Sequence, residues 1–238
     1  VRALTDTIDE VLALTDVLGI TRIGNTTHLD VLGIPNYSII APTGNYPPTD
    51  GIISVFSGKG TTDERALASA LMETVERYSC LTPRLPLITG STATISRTHR
   101  VAPSGAFLAP GAHLIDDDEV LEWVPALDLV SGNTALVPAF MVFTPYKPAA
   151  GNVPRKPSSS NGVASGNTLE EATLHGTLEL LERDAEALAL NGGRSITLDL
   201  DTVDDPEAKD LIERFRDAQI TLQIRDISQD IDVTTFLA

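Results

Sequence analysis

Apolar positions along the chain recur at helical spacing in some stretches and alternate in others. Residues 5–18 carry Ile8, Val11, Leu12, Leu14 and Val17 at intervals of three and four, which predicts one amphipathic helix. Gly19–Gly24 reads as a short strand entrance. Val31–Ala41 reads as a strand that Pro35 interrupts, so an edge or a bulge is expected there. Residues 42–51, rich in Pro, Gly and Asn, predict a loop, and Ile52–Phe56 leads from it as a further strand. A long helix is predicted from about Asp63 to Leu81. The stretch 82–110 is rich in Pro, Ser and Thr and shows no clear period, whereas Glu119–Asp128 and Thr134–Phe143 hold short β-prone runs. Residues 146–160 predict another loop, followed by a second long helix from about Leu169 to Asn191. A strand at Ser195–Leu200, a helix at about Pro206–Ala218 and a strand at Ile220–Asp226 make a β-α-β pattern. The final run, Asp232–Ala238, is β-prone with no turn or polar tail after it, and the chain is expected to be one piece of a longer product.

The two long helices share more than a period. Gly60–Arg77 and Gly166–Arg183 lie 106 residues apart, and both fit G-x-T-x-E-x-A, six residues, then E-x-x-E-R. With about 100° per residue, Glu73 lies about 40° and Glu76 about −20° from Ser69 on the helical wheel, with Arg77 at about 80°. Leu67, Leu71, Val75 and Tyr78 cluster on the other side, so the helix is expected to bury its aliphatic face and gather Ser69, Glu73, Glu76 and Arg77 opposite. In the second copy Glu171, His175, Glu179 and Glu182 fall on one line, flanked by Arg183, with Leu174, Leu178, Leu181 and Ala185 on a different face.

For either helix alone, Glu–Arg spacing of this kind is an ordinary surface pair worth about 0.2–0.5 kcal/mol, and Thr168-x-x-Glu171 is a capping box. The repetition alters that balance. Seven of 18 positions match without a gap, and they are the glycine, threonine, alanine and charged positions rather than the aliphatic ones. A duplicated fold unit needs only its aliphatic pattern, so the retained glutamates point to one shared site. Carboxylates brought together repel unless compensated, and divalent metal is the natural compensation. Oxygen-only ligation favours Mg²⁺, Mn²⁺ or Ca²⁺ over zinc, and Mg²⁺ commonly bridges carboxylates to phosphates. Ser57-Gly-Lys-Gly60 and Ser160–Gly166 precede the helices, and glycine-rich turns at a helix N-terminus suit an anion, to which Lys59 adds a charge. This is not a Walker A loop: Ile53 stands where its first glycine is required, and Gly60 replaces Ser/Thr after the lysine.

Length and charge narrow the class. At 238 residues and 42% hydrophobic, the chain can bury a sizeable core. A formal charge of −16 argues against a nucleic-acid partner. No window reaches 18 consecutive apolar residues, and the N-terminus has no signal-peptide pattern, so no membrane association is expected. Cys80 is the only cysteine, which excludes an internal disulfide and predicts a reducing, cytoplasmic setting.

These residues resemble a YcaO domain over nearly the whole chain. Gly19–Arg22 with Thr27–Pro35 is similar to the family's opening, Ser57–Gly60 with Ser69-x-x-x-Glu73-x-x-Glu76-Arg77 to its first nucleotide motif, and Ser160–Thr168 with Glu171 and Glu179-x-x-Glu182-Arg183 to its second. The resemblance implies an α/β (α+β) fold in one domain spanning 1–238, with mixed sheets flanked by helices and repeat units of about 19–150 and 151–238. It implies ATP binding without a P-loop, with Glu73, Glu76, Glu171, Glu179 and Glu182 on Mg²⁺ and with Lys59, Ser69, Arg77, Asn167 and Arg183 near the nucleotide. It assigns no catalytic side chain.

The implied activity is ATP-dependent O-phosphorylation of a backbone amide in a peptide or protein, for attack by a thiol, hydroxyl, amine or sulfide. Azolines, amidines or thioamides result. A homodimer is implied, as is a partner protein delivering substrate or sulfide. The chain departs from the family pattern in ending before a C-terminal Gln/Arg nucleotide motif and a proline-rich tail. Two other readings stay open. One is a non-catalytic ATP-binding scaffold or adaptor. The other is a carboxylate-bridged di-iron or di-manganese oxidase, whose usual E-x-x-H is absent, since His175 sits four residues before Glu179.

Overall fold

The N-terminal segment folds as two helices. In the computed structural model, which describes residues 2–42, 53–81, 86–103, 116–144, 146 and 159–238, α1 spans Leu4–Leu12 and α2 spans Thr15–Leu18. The single helix expected over 5–18 is therefore broken. The Leu14 N–H donates to Val11 O, a three-residue closure that tightens the end of α1 and rotates α2 relative to it. Thr7, Ile8 and Val11 stay buried, while Leu14 and Val17 turn outward. Gly19 then adopts φ 68° and ends α2, with the Ile20 N–H closing back on Thr15 O. Most of each loop expected at 42–51 and 146–160 lies outside the described residues, as do 82–85 and 104–110 of the stretch 82–110.

The chain divides into two compact units: Val1–Thr43 with Pro48–Glu76 and Asn161–Ala238, and Gly44–Pro47 with Arg77–Ser160. In the first, β1 (Arg22–Asn25), β2 (Asn36–Pro42) and β3 (Ile53–Lys59) form an antiparallel sheet in the order β1-β2-β3. Strand β2 begins directly after Pro35, so the proline sets the start of the strand and no ladder bond is lost. Ile39, fully buried, faces the buried Phe56 across the β2–β3 register. Helix α3 (Asp63–Leu81) has the predicted bounds, and its most buried line is Ala66, Ala70, Leu71 and Thr74. The expected line of Leu67, Leu71, Val75 and Tyr78 is only partly realised, because α3 lies too close to β3 for large side chains. A Cβ on Gly58 would stand 2.0 Å from the Ala70 backbone nitrogen.

The second copy reproduces this contact with the small residues exchanged. Across the 106-residue offset Gly58 corresponds to Ala164 and Ala70 to Gly176. A Cβ on Gly176, in helix α5 (Leu169–Leu190), would stand 2.7 Å from Gly162 O and 3.4 Å from the Ala164 Cβ. The α5 leucines expected in a core differ from expectation, with Leu174 61% and Leu178 44% exposed. Burial in α5 falls on Gly176 in the first half, where the helix meets Gly162, and on Ala185 in the second.

Helix α6 (Pro206–Asp217) starts as predicted, capped by the Asp205 carboxylate, which accepts from the Ala208 N–H, with Pro206 in its first turn. The flanking strands β7 (Ile196–Thr197) and β8 (Arg225–Asp226) are only two residues long and pair antiparallel, with β9 (Phe236–Leu237) beyond β8. The β-α-β order holds, but the parallel pairing such a unit implies does not. Period-2 alternation encodes which face is buried and carries no information on strand direction.

In the second unit β4 (Ile88–Ser91), β5 (Val120–Leu127) and β6 (Thr134–Pro138) form another antiparallel sheet, and the short helix α4 (Thr92–Ile95) follows β4. Trp123, 1% exposed, packs with Ile95, Leu121 and Leu136 and donates its indole N–H to Gly90 O at 2.8 Å. Cys80 is buried, and its thiol donates to the carbonyls of Arg77 and Thr144. At the β5–β6 turn the Ser131 hydroxyl, the Ser131 and Val130 N–H groups and Arg100 hold the Asp128 carboxyl down to about 2.

These contacts can be tested by substitution and titration. Gly58→Ala forces β3 and α3 apart and lowers stability by about 1–3 kcal/mol in denaturant unfolding. Gly24→Ala, whose Cβ would meet only Ser38 O at 3.8 Å, stays within about 0.5 kcal/mol of the parent. The Asp128 carboxyl is depressed relative to the unfolded value of 3.8, so its contribution is present above that pH and is lost as pH falls toward 2. A carbon-detected NMR titration should place its midpoint near 2, and Ser131→Ala should move that midpoint upward.

Candidate functional site

The repeated glycines and threonines build the start of each long helix. Thr62 Oγ1 accepts from the Arg65 N–H at 3.2 Å, and Thr168 Oγ1 accepts from the Glu171 N–H at 3.2 Å, equivalent positions in the two copies. Gly60 lies against the Ala66 nitrogen, where an added Cβ would stand at 2.8 Å, and Gly166 against the Ala172 nitrogen, at 2.4 Å. The capping box predicted at Thr168 forms with a shift. Glu171 Oε2 accepts from the Asn167 N–H at 2.9 Å, one residue before the cap. Glu170, in the first turn, has its carboxyl held below the usual range by its own backbone N–H and by the Thr168 hydroxyl.

The repeated glutamates tether the chain that precedes each helix. Glu73 Oε2 accepts from the Ser57 N–H at 3.0 Å, and Glu179 Oε2 accepts from the Gly162 N–H at 2.9 Å. Most of the matched positions thus have a structural task in each copy: glycine for close approach, threonine as cap, alanine for a thin helix face and glutamate as tether. Ser165 Oγ donates to Met72 O at 2.8 Å, and Thr7 Oγ1 donates to Asn167 Oδ1 at 2.9 Å, so the second tethered loop is held against α3 and α1.

Between α3, that loop and the start of α5 lies a cavity of about 470 Å³. Ser69, Met72, Glu73 and Glu76 line it from α3, at the spacing of one helix face, and Ser57 lines it from β3. Ser165, Gly166 and Asn167 line it from the loop, and Glu171 and His175 from α5. Of the residues expected at a nucleotide or metal, the cavity gathers Ser69, Glu73, Glu76, Asn167 and Glu171.

Lys59, Arg77, Glu179, Glu182 and Arg183 are not among its lining residues. Lys59 is exposed at the end of β3. Arg183 pairs with Glu179, Glu182 and Glu186 at 3.9, 3.4 and 3.0 Å, a surface cluster of modest energetic value. Arg77, half-buried, accepts the Cys80 thiol proton at its carbonyl. Ser57 and Ser165 line the cavity although the residue pattern assigns them no individual role there, because a single serine at a strand end or in a loop has no spacing that marks it. His175 is visible in that pattern only as a member of the acidic line.

Among the described residues, no three His, Cys, Asp or Glu side chains stand close enough together to hold a metal ion by themselves. Mg²⁺ is commonly held by one or two carboxylates with the remaining positions on water and phosphate. The donor set of carboxylates, hydroxyls and helix-start amides fits a metal-bound polyphosphate.

Residues 57–238 match the family of YcaO cyclodehydratases, described as ATP- and Mg²⁺-binding, and the chain belongs to this family. A relative from Methanothermobacter thermautotrophicus, named only as an uncharacterized protein, is 38% identical over 223 residues, covering 93% of this chain and 56% of its own length. The chain therefore spans about half the length of that curated relative. A heterocyclase solved in complex with substrate and cofactor superimposes with a TM-score of 0.81 at 24% identity, over 99% of this chain and 35% of its own. YcaO from Methanopyrus kandleri, bound with AMPPCP and Mg²⁺, does so with a TM-score of 0.65 at 23% identity, over 90% of this chain and 52% of its own. The α/β fold is that of the family, and ATP and Mg²⁺ are the family's cofactors. Among the described residues no helix is long and apolar enough to cross a membrane.

The tether makes a specific prediction. Glu179→Gln keeps an acceptor oxygen and should retain slow hydrogen exchange at the Gly162 amide. Glu179→Ala should lose it, by about tenfold or more.

Proposed function

We propose that the protein to which this chain belongs uses ATP and Mg²⁺ to activate a backbone amide of a peptide or protein by O-phosphorylation, for attack by a nucleophile. The observation that carries this reading is the cavity shared by the two repeats, where Glu73 and Glu76 of one helix face Asn167 and Glu171 at the start of the other. Glu73, Glu76 and Glu171 would offer carboxylates to Mg²⁺, with phosphate and water completing its coordination. Ser57, Ser69, Ser165 and Asn167, with the Gly166 N–H, offer the surrounding polar contacts. Bound ATP supplies a transferable phosphoryl group.

The protein's own part is positional. The tethers on Glu73 and Glu171 fix the cavity walls before any ligand arrives, so little reorganisation is needed on binding. In the reaction a nucleophile adds to the amide carbon, the amide oxygen takes up the phosphoryl group, and that oxygen departs as phosphate. Azoline, amidine or thioamide products differ only in the nucleophile. Glu179, Glu182 and Arg183 form a second acidic cluster outside the cavity, and Lys59 and Arg77 also lie off its wall; we assign all five to the border of the nucleotide site in the whole protein. A homodimer, a partner delivering substrate or sulfide, and a cytoplasmic setting compatible with the buried Cys80 thiol complete the proposal.

The test uses the full-length protein. Mg²⁺-dependent ATP hydrolysis should be measurable and should fall by about 100-fold or more in Glu73→Gln and Glu76→Gln, with the thermal midpoint unchanged, since each variant keeps shape and loses only charge. Undiminished turnover in both variants would contradict the assignment.

A further inference from the structure

The cavity wall is acidic or neutral with one exception. Glu73, Glu76 and Glu171 supply its charges, and serine hydroxyls and the Asn167 amide supply most of the rest. The basic residues expected beside a nucleotide, Lys59, Arg77 and Arg183, do not line it, and Arg183 is already committed to Glu179, Glu182 and Glu186. A cation seated on the carboxylates neutralises them, yet phosphate oxygens turned away from it still need N–H donors.

His175 is the one lining side chain able to carry positive charge, and its ring offers an N–H in every protonation state. The helix places it there. It lies one turn beyond Glu171, and the neighbouring Gly176 is buried against Gly162, which seats this turn of α5 closely against the chain that precedes it. Its counterpart at the 106-residue offset is Ser69, which also lines the cavity. The duplication has put a hydroxyl on the α3 wall and an imidazole on the α5 wall.

We infer that His175 contacts phosphate: its ring N–H holds a non-bridging oxygen of the metal-bound polyphosphate, the task that lysine or arginine performs in other phosphate sites. This rests on the nucleotide-site reading and adds the group that balances the acidic wall. The side chain is exposed, so its replacement should leave folding intact.

The experiment is calorimetric titration of full-length protein with AMPPCP in the presence of Mg²⁺, paired with ATP turnover. His175→Leu should weaken binding by about 10- to 100-fold and raise KM for ATP, with kcat less affected and the thermal midpoint unchanged. His175→Gln, which restores an N–H at similar reach, should recover most of the affinity. Binding by the leucine variant equal to the parent's, or a glutamine variant as weak as the leucine one, overturns the inference. Failure of the parent protein itself to bind AMPPCP with Mg²⁺ overturns the nucleotide-site reading and this inference together, and is seen before any variant is compared.

Discussion

The distance between each long helix and the chain that leads into it is shorter than an ordinary side chain permits. At Gly58 the backbone of α3 occupies the place a Cβ would take, and at Gly176 the carbonyl of Gly162 does so. Everything at the site depends on this approach. A helix seated so closely brings its carboxylates within hydrogen-bonding reach of amides in the chain that precedes it, and Glu73 and Glu179 each accept one. The amides are thereby satisfied, the loops are held, and a cavity wall is rigid before it meets a ligand. The second copy has the small residues exchanged, Ala164 in place of Gly58 and Gly176 in place of Ala70, and there the closest obstacle is the Gly162 carbonyl.

Close seating also separates structural from chemical tasks among the repeated residues. Glycine, threonine and alanine at equivalent positions make the turn, the cap and the thin helix face. Glu73 has both tasks, tether and cavity wall, whereas its counterpart Glu179 is a tether paired with Arg183. The duplication therefore yields an asymmetric site. One copy contributes the middle of its helix and the other contributes the start. That asymmetry is what an elongated, unsymmetrical ligand such as a metal-bound nucleotide requires, and membership of an ATP- and Mg²⁺-binding family agrees with it.

Much of this was legible in the residues. The bounds of α3, α5 and α6 come from helical period and capping, and the acidic stripes come from spacing alone. Ser69, Glu73, Glu76, Asn167 and Glu171 do come together. The break at Leu14, the antiparallel pairing of Ile196 with Asp226 and the exposure of Leu174 and Leu178 were not legible. Each depends on what lies beside the segment: a tightened last turn, a strand direction, the presence or absence of a covering element. Periodicity describes one element's faces and is silent about its neighbours.

By itself, then, the amino-acid sequence determined where helices begin and end and which side chains share a helix face, because those depend on residues within a few turns of one another. Only the tertiary structure decided which parts of the two faces meet. The choice of Glu171 and His175 over Glu182 and Arg183 as walls of the cavity is made by the small-residue contacts at Gly58 and Gly176, which set the seat of each helix. Those contacts join segments distant along each copy, and no local pattern of residues encodes the angle at which two packed elements cross.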